Sequence, residues 1–373
     1  MKNIIFLISH NPDPRFMKRI ALASENAIVT VYYIPRGEYL FKKIENVKFV
    51  PLEISYSKYI NGTFDIVKRF FSLMKFLNRF LKQLNLQTID IIHCGNIDML
   101  FLAYMYKRKM KKNTKIIYEV ADFHRLIFVE RNNIISIIKS FFYKNLEKKL
   151  IRKVNNLVLT SIQHYENYYS TIYHGKVTLL PNAPSSNLFR KFQEHTLNTL
   201  TIGVIGLIRD KEQIINLIDA AEITGAKVII AGTGFSEVEF IKNYISDKKN
   251  TYFYGPYDYE NEILELYSRV DIVFSVFDIT RPNIRFCMPN RLYEAIACNK
   301  PLIVPKETFM GDYVNESGVG FLVKYNDKEE LIELLFELIS NKTIINSKKD
   351  NIRKIEKKHF EDFSDDLITA YAE

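Results

Sequence analysis

The chain is poor in the residues that build covalent cross-links and metal centres. It has three cysteines in 373 residues, Cys94, Cys287 and Cys298, and none forms a Cys-x-x-Cys pair. That argues against a disulfide framework or a cysteine zinc site and fits a reducing cytoplasm. The seven histidines contain no His-x3-His pair, so no metal site is expected. No Gly-x-Gly-x-x-Gly follows the first apolar run, which leaves a dinucleotide fingerprint unsupported. No stretch of about 18 uninterrupted apolar residues exists, so no segment is expected to span a membrane. Residues 1–8 are too short and too strand-like for a signal peptide, and Asp13 and Arg15 follow closely.

Charge is plentiful and unevenly placed. The net charge is +9, yet residues 1–190 hold 30 Lys and Arg against 13 Asp and Glu, whereas the remainder holds 22 against 30. A basic half joined to an acidic half points to an anionic surface that meets the first half. Two basic stretches there have helical periodicity. Residues 63–83 set Ile66, Phe70, Phe71, Met74 and Leu77 against Lys68, Lys75, Arg79 and Lys82. Residues 134–153 set Ile134, Ile135, Ile138, Phe141, Phe142, Leu146 and Leu150 against Lys139, Lys144, Lys148, Lys149, Arg152 and Lys153. Each reads either as a surface helix packed on a sheet or as a helix lying in a bilayer interface. With the basic run 107–115 they make an anionic membrane surface a candidate partner. Nucleic acid is disfavoured, because the apolar positions do not have a base-stacking pattern and no nucleic-acid motif is present.

The order of elements is that of an α/β protein. A strand at residues 2–8, a helix at 16–24 and a strand at 27–34 open a doubly wound domain, continued by strands at 89–93, 115–120 and 156–160. A second series starts with a strand at 201–205, a helix at 212–224 and a strand at 227–231. The length suits two domains. The most informative stretch is 287–301. Pro289 and Asn290 read as a helix start, Leu292, Ala295 and Ile296 as its apolar face, and Asn299 as its stop before a strand at 301–305. Free N–H groups at that helix start suit a phosphate. Arg291 adds a cation in the first turn, and Glu294 lies where a carboxylate reaches ribose hydroxyls.

Residues 288–304, MPNRLYEAIACNKPLIV, resemble the PNKLxExxAxGKPVI segment of retaining, nucleotide-sugar-dependent glycosyltransferases of family 4, which have the GT-B fold. The resemblance implies two Rossmann-like doubly wound domains facing across a cleft. The first, 1–188, would bind the acceptor, with a C-terminal helix at 359–373 packing back on it; the second, 199–358, would bind the nucleotide-sugar, with 186–199 as the linker. It implies donor contacts from Pro289, Asn290, Arg291 and Glu294, from Gly206, Arg209 and Lys211 after the first strand of the second domain, from Gly232, and from Tyr257 near the base. Arg209 and Lys211 would also stabilise the leaving diphosphate, with no metal required. The nucleotide-sugar, UDP-linked by family frequency, is a co-substrate, and no cofactor is expected. The acceptor would be a glycan or lipid-linked saccharide, and the location cytoplasmic or peripheral on the inner membrane face.

Residues 13–23 and 118–126 extend the resemblance into the first domain, with His10, Asn11, Asp13 and Arg15 as polar groups of the first loop. Two departures stand out. The family histidine falls at Ala121, which leaves Asp122 as the match and His124 or His93 as substitutes. The first of two family glutamates falls at Phe286, which leaves Asn283, Arg285 and the N–H groups of 286–288 as sugar contacts. The alternative these departures favour is a non-catalytic GT-B subunit that supports an active partner.

Overall fold

The computed structural model describes residues 1–35, 41–52, 88–110, 113–124, 126–129, 134–184, 186–234, 236–356 and 364–372. The chain divides into two compact units, Met1–Leu180 with Ser364–Glu373, and Pro181–Phe363. Residues 4–8 and 302–304 are apolar without alternation and buried throughout, as strands covered on both faces of a parallel sheet must be.

The first unit has β1 (Lys2–Ile8), β2 (Ala27–Tyr33), β3 (Lys48–Pro51), β4 (Ile91–Gly95), β5 (Lys115–Val120), β6 (Asn156–Leu159) and β7 (Lys176–Leu179). They form one parallel sheet in the order β3-β2-β1-β4-β5-β6-β7. Its helices include α1 (Pro14–Ser24), α2 (Ile97–Met110), α3 (Ile134–Ile151) and α4 (Ile162–Asn167). The Asp13 carboxylate caps α1 by accepting from the Phe16 N–H at 2.9 Å.

The second unit has β8 (Thr201–Ile205), β9 (Lys227–Ala231), β10 (Thr251–Gly255), β11 (Ile272–Phe274), β12 (Leu302–Pro305) and β13 (Gly320–Val323), parallel in the order β10-β9-β8-β11-β12-β13. Its helices are α5 (Ser186–Phe189), α6 (Lys211–Thr224), α7 (Ser236–Tyr244), α8 (Tyr259–Ser268), α9 (Pro282–Phe286), α10 (Asn290–Ala297), α11 (Phe309–Ser317), α12 (Lys328–Ser340) and α13 (Lys342–Lys354). Residues 186–199, expected as a linker, go with this unit. Phe189 is in its core, and Glu194 bonds Lys349 at 2.7 Å and faces the buried Lys300 at 3.9 Å. Both sheets reverse strand order next to their first strand, and the crevice outside the carboxyl ends there is where such sheets bind ligands.

The last helix, α14 (Ser364–Ala372), belongs to the first unit. The Lys2 ammonium donates to the carbonyls of Tyr371 and Ala372 at 2.7 and 2.9 Å. The Tyr371 hydroxyl lies 2.7 Å from His93 Nδ1, and His93 Nε2 lies 3.0 Å from the Glu119 carboxylate. Arg15 and Arg19 meet the same carboxylate at 3.3 and 3.5 Å. Burial opposes the Glu119 charge, but the two guanidinia and the histidine outweigh it and hold its pKa well below the ordinary value. His93 is fully buried in this cluster, so it does not substitute for the missing histidine.

Helix α3 departs from the expected pattern. Its inward face carries Ser140, Glu147, Leu150 and Ile151, while Ile134, Ile135, Ile138, Phe141 and Phe142 are exposed. Glu147 accepts hydrogen bonds from Tyr168 at 2.9 Å and Tyr169 at 3.1 Å, with Tyr118 and Tyr143 at 3.4 and 3.5 Å. The periodic stretch 63–83 lies outside the described residues. Among the described residues no helix is long and apolar enough to cross a membrane.

Burial raises the Glu147 pKa to about 7, against the opposing pull of the four tyrosine hydroxyls. A carboxyl whose pKa is raised on folding stabilises the fold below its unfolded pKa and loses that contribution as pH rises through the folded value. Between pH 4.5 and 7 the stability of the wild type relative to Glu147→Gln should therefore fall, by on the order of 3 kcal/mol in total. Denaturant melts of both proteins across that range check the slope; parallel curves would refute it.

Candidate functional site

The loops after β8, β9 and β10 are stitched together at the carboxyl edge of the second sheet. Gly206 donates its N–H to Ala231 O at 2.9 Å, Ile208 donates to Thr233 O at 2.8 Å, and Gly232 donates to Gly255 O at 2.7 Å. Gly206, Gly232 and Gly255 have φ of 107°, 146° and 91°, values that side chains rarely adopt. A Cβ at Gly232 would stand 1.7 Å from Gly206 O. Gly232 therefore sets how closely the two loops approach.

Two guanidinia gather beside this loop. Arg291 is buried and donates from Nη2 to Leu207 O at 2.8 Å and from Nη1 to Phe274 O at 3.4 Å. Its guanidinium carbon lies 5.1 Å from the centre of the Phe277 ring, and that of Arg209 lies 5.0 Å from the same ring. Burial lowers the Arg291 pKa, and the neighbouring Arg209 charge adds to that. Arg209 Nε is buried without a hydrogen-bond acceptor. Among the described residues neither guanidinium has a carboxylate at ion-pair distance, in contrast to Arg15 and Arg19. Between Arg209 and Lys211, Asp210 takes a left-handed conformation at φ 57° and pairs with Arg281 at 3.0 Å. Lys211 starts α6 with its ammonium 4.7 Å from the Phe240 ring centre.

Arg291 sits in the first turn of α10. Pro289 occupies the cap position and Asn290 the first helical one, with no side-chain cap bond. Asn290 was expected to cap this helix; the cap residue is instead Pro289, which has no side-chain acceptor to offer. The helix ends at Cys298, and Asn299 follows at φ 53°, the left-handed conformation anticipated for it. Glu294 is buried, with Oε1 accepting from Tyr259 at 2.7 Å and Oε2 from Tyr267 at 2.9 Å. Tyr257 stands close enough that burial first, and the Glu294 charge second, raise its pKa.

Residues 186–359 match the family described as "Glycosyl transferases group 1". The match lies wholly within the second unit. The chain is 22% identical over 361 residues, 91% of its length and 86% of the relative's, to the succinoglycan biosynthesis protein ExoL of Rhizobium meliloti (strain 1021). Its structure resembles the sucrose-phosphate synthase of Thermosynechococcus elongatus at a TM-score of 0.72 and 15% identity, covering 99% of this chain and 97% of that one. It also resembles Anabaena HepE in complex with UDP at a TM-score of 0.67 and 14% identity, covering 100% and 98%. The fold is GT-B, and sugar transfer is the activity class.

The second unit thus brings Gly206, Gly232, Arg209, Pro289, Asn290 and Arg291 to one edge of its sheet, with Glu294 and Tyr257 close behind. Lys300, another match to the family segment, is fully buried near Glu194 and the Phe192 ring, a structural post rather than a surface cation. Arg285 donates to Ile279 O at 2.9 Å and so braces its own loop. In the first unit, Asp122 and His124 are exposed just beyond β5. His124 stacks on Tyr143 at 4.3 Å, and its Nδ1 accepts from the Leu126 N–H at 3.2 Å. Among the described residues no three His, Cys, Asp or Glu side chains converge to hold a metal ion.

Phe277, the platform for both guanidinia, and the tyrosine pair on Glu294 escaped the sequence reading. The only signal was the recurrence of Tyr257, Tyr259 and Tyr267 ahead of Glu294. Gly232→Ala should cost the second unit more than about 2 kcal/mol, because it combines a disfavoured φ with a backbone collision. A thermal melt that matches wild type would refute the close approach of the two loops.

Proposed function

We propose that the chain transfers a sugar, with retention of anomeric configuration, from a UDP-sugar to a glycan or lipid-linked saccharide at the cytoplasmic face of the membrane. The observation that carries the donor half is the pair of guanidinia on Phe277. Two cations with no carboxylate at ion-pair distance among the described residues, one with a buried donor that lacks an acceptor there, stand by a glycine loop and a helix start without a side-chain cap. A departing nucleoside diphosphate supplies the missing negative charge. Fixed donors aimed at charge that grows in the transition state lower the barrier most. Arg209, Arg291 and the first N–H groups of α10 take that role, and Lys211 adds long-range charge, so no metal is required. Glu294, held by Tyr259 and Tyr267, receives the ribose hydroxyls on its remaining lone pairs. The backbone near Tyr257 holds the base, and Gly206 and Gly232 let the diphosphate approach the loop.

UDP is supported by the structures of HepE with UDP and with UDP-glucose, and a polysaccharide product by the name of ExoL. Retention rests on the resemblance to family 4. In the first unit, Asp122 and His124 are assigned as catalytic residues beside the reacting sugar. Ala121, where the family has histidine, favours the second reading, a non-catalytic subunit that binds the nucleotide-sugar without transfer.

Calorimetry with UDP, GDP, ADP and their sugar conjugates, without added metal, is the test. Saturable binding of a UDP-sugar with transfer or slow hydrolysis supports catalysis; binding with neither supports the subunit reading. Arg209→Ala should lower turnover by roughly 100-fold or more while leaving the melting temperature near wild type. Unchanged turnover would remove Arg209 from the mechanism.

A further inference from the structure

Helix α3 is turned inside out in its first half. A helix on a water-soluble surface hides its apolar side chains and shows its polar ones. Here Ile134, Phe141 and Phe142 are 75%, 64% and 67% exposed, with Ile135 and Ile138 beside them. Two polar residues of the helix point inward instead: Ser140 donates to Leu126 O at 2.7 Å, and Glu147 is caged by tyrosines. Those bonds fix the rotation of the helix, so the apolar side cannot turn into the core. Contiguous exposed apolar surface of this kind marks a contact with something else.

The second half of the outward face has the opposite character. Lys148, Lys149, Arg152 and Lys153 are all exposed there. The only acidic residue from 134 to 153 is Glu147, which is buried, so the surface of this helix carries no negative charge. Polarity is thus divided along the axis, apolar then basic, and not across it as the periodicity had implied.

We infer that α3 docks the protein on an anionic bilayer, its first half dipping below the headgroups and its second half lying against their phosphates. At about 100° per residue the exposed apolar side chains sweep roughly half the helix circumference. That is wider than the stripe a helical segment presents to a protein groove, but lipid closes around all of it. The basic half selects a negative partner, and a second copy of this chain would bring the same positive charge. The inference rests on the proposed function for a membrane-bound acceptor; its observations are independent of the donor chemistry.

Flotation of the full chain with vesicles tests it, using phosphatidylcholine alone or with about 30% phosphatidylglycerol. The chain should float only with the anionic vesicles, less so as salt rises. Phe141→Ser with Phe142→Ser should lower partitioning at least roughly tenfold, and Lys148→Glu with Lys149→Glu should also weaken it. Because these side chains are exposed, melting temperature and UDP binding should not change. No flotation of wild type, or equal flotation of the phenylalanine variant, would overturn the inference. So would a concentration-dependent dimer that the phenylalanine variant abolishes, without vesicle binding, since that assigns the face to a second copy. Flotation without any nucleotide binding would instead refute the proposed function and leave the docking helix standing.

Discussion

A carboxylate removed from water must have its oxygens hydrogen-bonded or paired, and three buried glutamates impose that constraint on this chain. Glu119 meets it with Arg15, Arg19 and His93, and through His93 it ties the C-terminal helix to the centre of the first sheet. Glu147 meets it with tyrosines only, and that cage decides which way α3 faces. Glu294 meets it with Tyr259 and Tyr267 in the second unit. The helices α14, α3 and α10 are each anchored through one such residue.

The cations of the two units are held differently. In the first unit, two guanidinia converge on a carboxylate and are ion-paired with it. In the second, two guanidinia share an aromatic ring and backbone carbonyls, with no carboxylate at ion-pair distance among the described residues. Packing on Phe277 and hydrogen bonds to backbone carbonyls hold Arg291 in place.

Much of this was legible in the chain. Unbroken apolar runs with intervening helices are enough for two parallel sheets, because only strands covered on both faces lack alternation. The spacing from Pro289 to Pro301 was enough for a helix start, a left-handed stop at Asn299 and a strand. The motifs singled out Arg209, Arg291, Gly206 and Gly232, which the fold brings to one edge of the second sheet. The burial of His93 was not legible, because a lone histidine in a strand says nothing about whether a carboxylate from the neighbouring strand meets it.

The sequence by itself determined the fold class, the charge asymmetry between halves and the donor-side motif, because each depends on residue type at short spacing. Tertiary structure alone decided that Phe277 carries both guanidinia, that Tyr259 and Tyr267 hold Glu294, and which residues of α3 face water. Helical periodicity names two faces but not which is inside; for α3 that choice rests on tyrosines at 118, 168 and 169, which only folding brings to Glu147.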